Sequence, residues 1–171
     1  PQVYRVFRQT ARRIGDNANL LRKFPPMEGR IFAVGYSANG KFIAAASSID
    51  GRGAVQVYTG EFDATIPDLL LKAYAGKIAS AYTPEEKAAI ETFTTAEVKQ
   101  VSALSVAGGV YALAFHPDSQ TLAAAGEDGR VRLIRAADGV VTKEFVPVPV
   151  SGTAVSQAGR WTFDTCEDGG G

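Results

Sequence analysis

Val110 to Ile134 reads VYALAFHPDSQTLAAAGEDGRVRLI, and its recurrence along the chain decides the fold. Counting back 79 positions gives Ile31 to Ser47, IFAVGYSANGKFIAAAS, with Ala44-Ala45-Ala46 in register with Ala123-Ala124-Ala125. Counting forward 40 positions, Gln157 to Gly169 (QAGRWTFDTCEDG) overlays Pro117 to Gly129 and matches the Glu127-Asp128-Gly129 turn with Glu167-Asp168-Gly169. Self-similarity at a period near 40, built from short strands, marks a propeller array.

Within the central copy, the apolar run Val110–Phe115 reads as an inner strand buried on both faces. His116 to Gln120 supplies a turn in which Pro117 fixes φ and Asp118 can bond its own backbone. Thr121–Gly126 is a second strand whose three alanines let sheets stack closely, since bulk there would overpack. Asp128-Gly129 turns the chain into a third strand, Val131–Arg135, and Ala137-Asp138-Gly139 leads to a fourth, Val140–Val148. Pro147 and Pro149 suit an outer edge, where not every N–H must be donated.

The earlier copy places strands at Ile31–Ser37, Phe42–Ser48, Ala54–Tyr58 and Val98–Val106, with a longer turn at Asp50-Gly51-Arg52. Before it, Val3–Phe7 and Leu20–Pro25 read as the third and fourth strands of a preceding unit, LLRKFPP paralleling VVTKEFVPVP. The expected fold is thus all-β with a helical insertion: a partial β-propeller of two full four-stranded blades plus two half-blades. The expected units are residues 1–27, strands three and four; 28–106, a blade with an insertion at about 62–97; 107–150, a complete blade; and 151–171, two strands of a truncated blade.

The insertion changes from strand to helical period. Thr83-Pro84-Glu85-Glu86 is a capping-box start with Pro at N1. Pro67 to about Ala81 and Pro84 to about Thr94 are therefore expected as a helical hairpin on the rim, and Gln9–Asn19 as a loop or short helix.

At 171 residues the chain is shorter than the ~250 to 300 residues of a six- or seven-bladed propeller. It begins at Pro1 without a basic-then-apolar leader, so the native N-terminus is expected to have been removed or to lie elsewhere. Eighteen basic and 18 acidic residues cancel, leaving no global field to steer nucleic acid toward it. Apolar runs are too short to span a bilayer. Cys166 is the single cysteine, which excludes an intramolecular disulfide and any Cys-cluster metal site.

Phe115-His116-Pro117-Asp118, Leu122 to Gly129 and Val131-Arg132-Leu133-Ile134 resemble the WD-repeat consensus. The resemblance is specific over 31–58 and 110–148 and weaker over 154–169. The chain departs from that pattern at the Trp-Asp pair, where it has Tyr58-Thr59 and Ile134-Arg135, and at the Gly-His pair, where it has Gly29-Arg30 and Gly108-Gly109. Asp50 and Asp128 keep the turn-aspartate place. More narrowly, the Arg-rich first loop, DGRG followed by VQVY, FDATIPD and KEFVPVPV resemble the propeller region of planctomycete-type WD-repeat/c-type cytochrome fusion proteins. That resemblance implies an exported or periplasmic setting for the parent, and no haem motif falls within these residues.

No catalytic, cofactor-binding or metal residue is assigned. His116 is the only histidine and lacks a carboxylate or serine at triad spacing, so it reads as a turn residue. Recurrence of Asp50, Asp128 and Asp168 at one repeat position is what turn formation requires. Asp63, Asp68, Glu85, Glu86 and Glu91, interspersed with Lys72, Lys77 and Lys87, read as a solvated helix face. Arg5, Arg8, Arg12, Arg13, Arg22, Lys23 and Arg30 read as a charged surface, for want of aromatic interleaving. Gly169-Gly170-Gly171 lacks the Lys-Ser/Thr ending of a phosphate loop.

The expected function is a non-catalytic scaffold that binds a protein partner or another domain of the parent, with self-association through open blade faces. The alternative is the scaffold region of a c-type cytochrome redox or electron-transfer protein whose haem lies elsewhere. A metal-centred propeller hydrolase fits poorly, because the inner strands offer only Tyr36, Tyr111 and apolar side chains.

Overall fold

In a computed structural model, the described residues are 1–5 and 19–147. The expected final half-blade, most of the Gln9–Asn19 loop, Arg8, Arg12, Arg13, Pro149, Asp168 and the terminal glycines lie outside them.

Two four-stranded antiparallel sheets dominate. The first consists of β3 (Arg30–Tyr36), β4 (Phe42–Ile49), β5 (Arg52–Thr59) and β6 (Gln100–Ala107), in that order. The second consists of β7 (Val110–Phe115), β8 (Thr121–Gly126), β9 (Val131–Arg135) and β10 (Val141–Phe145). A two-stranded sheet, β1 (Gln2–Tyr4) with β2 (Leu20–Lys23), precedes them. The architecture is all-β with a helical insertion, a partial propeller in which successive sheets stack face to face.

Strands β7, β8 and β9 have the bounds that alternation and turn chemistry predict, whereas β10 stops at Phe145, ahead of Pro147. The turn after β4 differs from expectation. Asp50 and Gly51 both take positive φ, 48° and 72°, and Ile49 pairs with Arg52, so this is a two-residue hairpin loop that matches the twist of its strands. The extra residues of this copy lengthen β4 and β5 rather than the turn.

The seam between the four-stranded sheets is the main core. Leu122 and Ile134 from the second sheet, flanked by Leu113 and Phe115, pack against Ala33, Ala44, Ala46, Val55 and Val57 of the first. Large side chains on one face meet small ones on the other, which lets the sheets approach closely. Polar bonds fix the alignment: Asn39 N–H donates to Ser119 Oγ at 3.0 Å and Ser102 Oγ to the Ala136 carbonyl at 2.9 Å.

A second seam joins β1–β2 to the first sheet. Val3 and Phe24 lie on Ile43 and Tyr58, and the Phe24 and Tyr58 rings meet edge to face at 5.0 Å. Tyr4 pairs with Leu20 across a bulge, as Ile134 pairs with Val141, which puts Val3 in the place of Leu133.

The inner strands correct one expectation: they are not buried on both faces. In β3 no residue is buried, and in β7 only Val110 is. Each inner strand has a stacked sheet on one side; on its other side, no strand pair among the described residues covers it.

The insertion folds as α1 (Asp68–Gly76), a 3₁₀ turn at Ala79–Ala81 and α2 (Pro84–Thr95). The first helix ends earlier than expected, at Gly76, where loss of backbone freedom makes glycine a poor helix residue. The capping box forms as read: Glu86 N–H donates to Thr83 Oγ1 at 3.2 Å and Thr83 N–H to Glu86 Oε2 at 2.8 Å. No helix among the described residues is long and apolar enough to cross a membrane.

Candidate interaction surface

The repeat equates positions in the two sheets. Val34, Tyr36, Ile43 and Tyr58 occupy the places of Leu113, Phe115, Leu122 and Ile134, because pairing of Ile43 with Tyr58 matches that of Leu122 with Ile134. In the second sheet these four residues fill the main seam. In the first, Ile43 and Tyr58 are sealed under β1–β2, but Val34 and Tyr36 remain 55% and 48% exposed. Partial burial of Tyr36 still raises its phenol pKa.

At the opposite end of the stack, Ala112, Ala114, Ala123 and Ala125 with Val131 and Leu133 form the counterpart of the face that receives Leu122 and Ile134. This second face is shallow, made of small side chains and only partly covered. A hollow of about 450 Å³ lies along its edge, between Ala114, Ala123, Leu133 and the His116–Asp118 turn.

Phe32 and Tyr111 sit at the register shifts of β3 and β7, 79 positions apart, and their rings meet edge to face at 5.0 Å. Beside them the departure from the Gly-His pattern at Gly108-Gly109 finds a reason. A Cβ on Gly109 would run into Ser48 Oγ and the Tyr111 hydroxyl, and one on Gly126 into the Gly109 carbonyl. Gly109 is instead held by Glu127, whose Oε2 accepts its N–H at 2.8 Å.

The turn residues do structural work. His116 is exposed, and its Nδ1 lies 3.1 Å from Asp118 Oδ2. Asp118 Oδ1 accepts from Gln120 N–H at 2.7 Å, the main cause of its lowered pKa. Asp128 pairs with Arg132, whose Nε reaches Glu144 Oε2 at 2.8 Å, and that pairing holds the Asp128 carboxyl below its usual range. Asp50 serves through its backbone conformation.

The acidic residues of the insertion do not converge: no group of three or more metal-ligating side chains occurs among the described residues. Glu86 combines the capping box with a 2.6 Å pair to Lys77, which is the first cause of its lowered pKa. Asp63 Oδ1 accepts from Thr65 N–H at 2.8 Å.

Sequence reading missed the role of Arg22. Placed on the charged surface, it is 2% exposed, with its guanidinium 4.8 Å from the centroids of both the Phe62 and Phe93 rings. It donates to the Leu21 carbonyl at 2.8 Å, the Asp63 carbonyl at 2.6 Å and Glu97 Oε2 at 3.0 Å. Glu97, at φ 60°, also accepts from Asp63 N–H, which leads the causes of its lowered pKa, ahead of Arg22. Arg22 thus ties β2 to both ends of the insertion. The available signal was a cation, Arg22, at the centre of Leu20–Phe24 with leucines before it and Phe24 two residues on.

The insertion is correspondingly not a free display on the rim. Leu70, Tyr74 and Phe93 pack with Leu21 and Val3, so the helical hairpin covers the two-stranded sheet.

These features define a partial β-propeller with an open apolar face at each end of the stack. Residues 98–135 match the family described as WD domain, G-beta repeat. The matched stretch starts beside β6 and ends with β9, so the sequence repeat takes the last strand of one sheet and three of the next. Among solved structures, the chain is similar to the β-propeller domain of Cps50 (Swd1) from Myceliophteria thermophila, with 15% identity and a TM-score of 0.40, over 71% of this chain and 27% of that one. None of the curated proteins matches the chain significantly.

Proposed function

We propose that this segment is a non-catalytic scaffold that binds a protein or another domain of its parent chain. The observation that carries the reading is the half-exposure of Val34 and Tyr36, at repeat positions whose counterparts Leu113 and Phe115 pack into a seam. Apolar surface patterned for a sheet neighbour gains free energy when covered, and its extent rather than any acid–base group is what it offers a partner. In the alternative form, this region is the scaffold of a larger c-type cytochrome redox or electron-transfer protein whose haem domain lies outside residues 1–171. A haem absorbance band from the full-length parent tests that form.

The scaffold reading is tested by a photo-crosslinking residue at Tyr36 in the full-length parent, with Ile78, an exposed position on the insertion, as control. Crosslinks specific to position 36, to another protein, another copy or another domain, are expected. Equal or absent labelling at the two positions would overturn it.

A further inference from the structure

The turn between β3 and β4 carries the chain's single Asn-Gly pair, Asn39-Gly40, whereas Asn17 and Asn19 precede Ala18 and Leu20. Before glycine, an asparagine side chain can close on the next backbone nitrogen with no Cβ in the way. Asn39 is exposed, and a Cβ on Gly40 would have nothing within 4 Å, so the space beside that nitrogen is open. Asn39 Oδ1 accepts from Ser37 Oγ at 2.8 Å and from Lys41 N–H at 3.0 Å. Two donors on one carbonyl oxygen stabilise the negative charge that develops there when a nucleophile adds to the carbon. Asn39 Nδ2, the nitrogen that must leave, makes no hydrogen bond among the described residues. One bond opposes closure: Gly40 N–H donates to the Ser37 carbonyl at 2.9 Å, so the turn has to open locally first.

We propose that Asn39 is a site of spontaneous covalent modification, converting through a succinimide to aspartate and isoaspartate, and that the fold accommodates the first product but not the second. Gly40 N forms a bond to Asn39 Cγ, the Cγ–Nδ2 bond breaks, and ammonia leaves with the Gly40 amide proton. Water then opens the ring. Cleavage between Gly40 N and Cγ leaves an ordinary aspartate; cleavage between Gly40 N and the Asn39 main-chain carbonyl carbon leaves an isoaspartate, whose backbone runs through Cγ.

The repeat shows which product fits. Asp118, 79 positions on, holds the equivalent turn with a carboxylate, its Oδ1 accepting from Gln120 N–H at 2.7 Å and Thr121 N–H at 3.1 Å. An aspartate at position 39 therefore has its counterpart in the second sheet.

An isoaspartate adds a carbon to the backbone of a turn that also serves the main seam. Asn39 N–H donates to Ser119 Oγ at 3.0 Å, and Ser119 is buried at φ 61°, in the place where the first sheet has Gly40 at φ 73°. Lengthening the turn displaces that N–H and takes the donor from a buried hydroxyl. The modification thus opens the seam at its turn-to-turn end.

The test is incubation of the intact chain at mildly alkaline pH, followed by peptide mapping with mass spectrometry. Acid is expected at position 39, as separable aspartate and isoaspartate peptides, with the amides at 17 and 19 retained. Gly40→Ser, which copies Ser119 in the matching turn, is expected to slow the conversion severalfold with an unchanged far-UV circular dichroism spectrum. Amide hydrogen exchange over 37–42 and 116–121 is expected to stay at the parent's rate in Asn39→Asp and to quicken severalfold in the isoaspartate fraction. The peptide map of the unsubstituted chain does not depend on either variant folding. Retention of the amide at position 39, equal conversion at 17 and 19, undiminished conversion in Gly40→Ser, or parental exchange in the isoaspartate fraction would each overturn the inference.

Discussion

The two seams of this molecule solve one packing problem by different means. Where β7–β10 meets β3–β6, four strands face four, and large side chains on alanines and valines suffice. Where β1–β2 meets the same sheet from the other side, only two strands are present, and the small patch of Val3 and Phe24 on Ile43 and Tyr58 is backed by a helical insertion. Isolated two-stranded sheets are marginal in water, so a half-blade needs a cover. The difference teaches that the insertion belongs to the stability of the incomplete unit rather than to the blade in whose sequence it lies.

The largest expected effect comes from the full seam. Ile134→Ala removes a side chain that is 1% exposed and should destabilise the chain by about 2 to 5 kcal/mol, read from the urea midpoint. A loss well under that range would mean that the large-on-small seam is not the main source of stability.

Arg22→Met probes the other seam. It keeps an apolar stem between Phe62 and Phe93 but removes three charged hydrogen bonds, for an expected loss of about 1.5 to 3 kcal/mol. The loss should be local. Hydrogen exchange in β1 and β2 should quicken by about 10- to 100-fold while β8 and β9 are unchanged. Uniform quickening would show that the seams open together.

Acid should produce the smallest change. Glu97 and Glu86 have pKa values lowered in the fold, Glu97 chiefly by the Asp63 amide and then Arg22, and Glu86 by Lys77. Their contribution is present above the ordinary glutamate range and is lost as pH falls through the lowered folded values. The Glu97 side chain is half exposed, so screening keeps its contribution modest, whereas Glu86 is largely covered beside Lys77. Hydrogen exchange of β2 and α2 should rise at low pH before that of β8, and Glu97→Gln should flatten the response in β2 alone.

The sequence was most legible where local chemistry and repetition agree. Val110–Phe115, Thr121–Gly126 and Val131–Arg135 could be bounded from alternation and from turns that need Pro117, Asp118 and Gly129, because such signals act within a few residues. The capping box at Thr83 was legible for the same reason. Arg22 was not: nothing near it in sequence announces Phe62, Asp63, Phe93 and Glu97, which come from positions 40 to 75 residues away. Exposure of Val34 and Tyr36 was also invisible, since an apolar inner strand reads alike whether or not a neighbour covers it.

By itself the sequence determined the repeat, the strand order, the helical character of the insertion and the small-residue strands, all written in patterns of two to about 40 residues. Tertiary structure alone decided which faces are filled, that the insertion caps β1–β2, and that a buried guanidinium holds it there. The physical reason is that strand formation depends on the alternation and turns of one segment, whereas burial depends on what another segment, far along the chain, brings to its face.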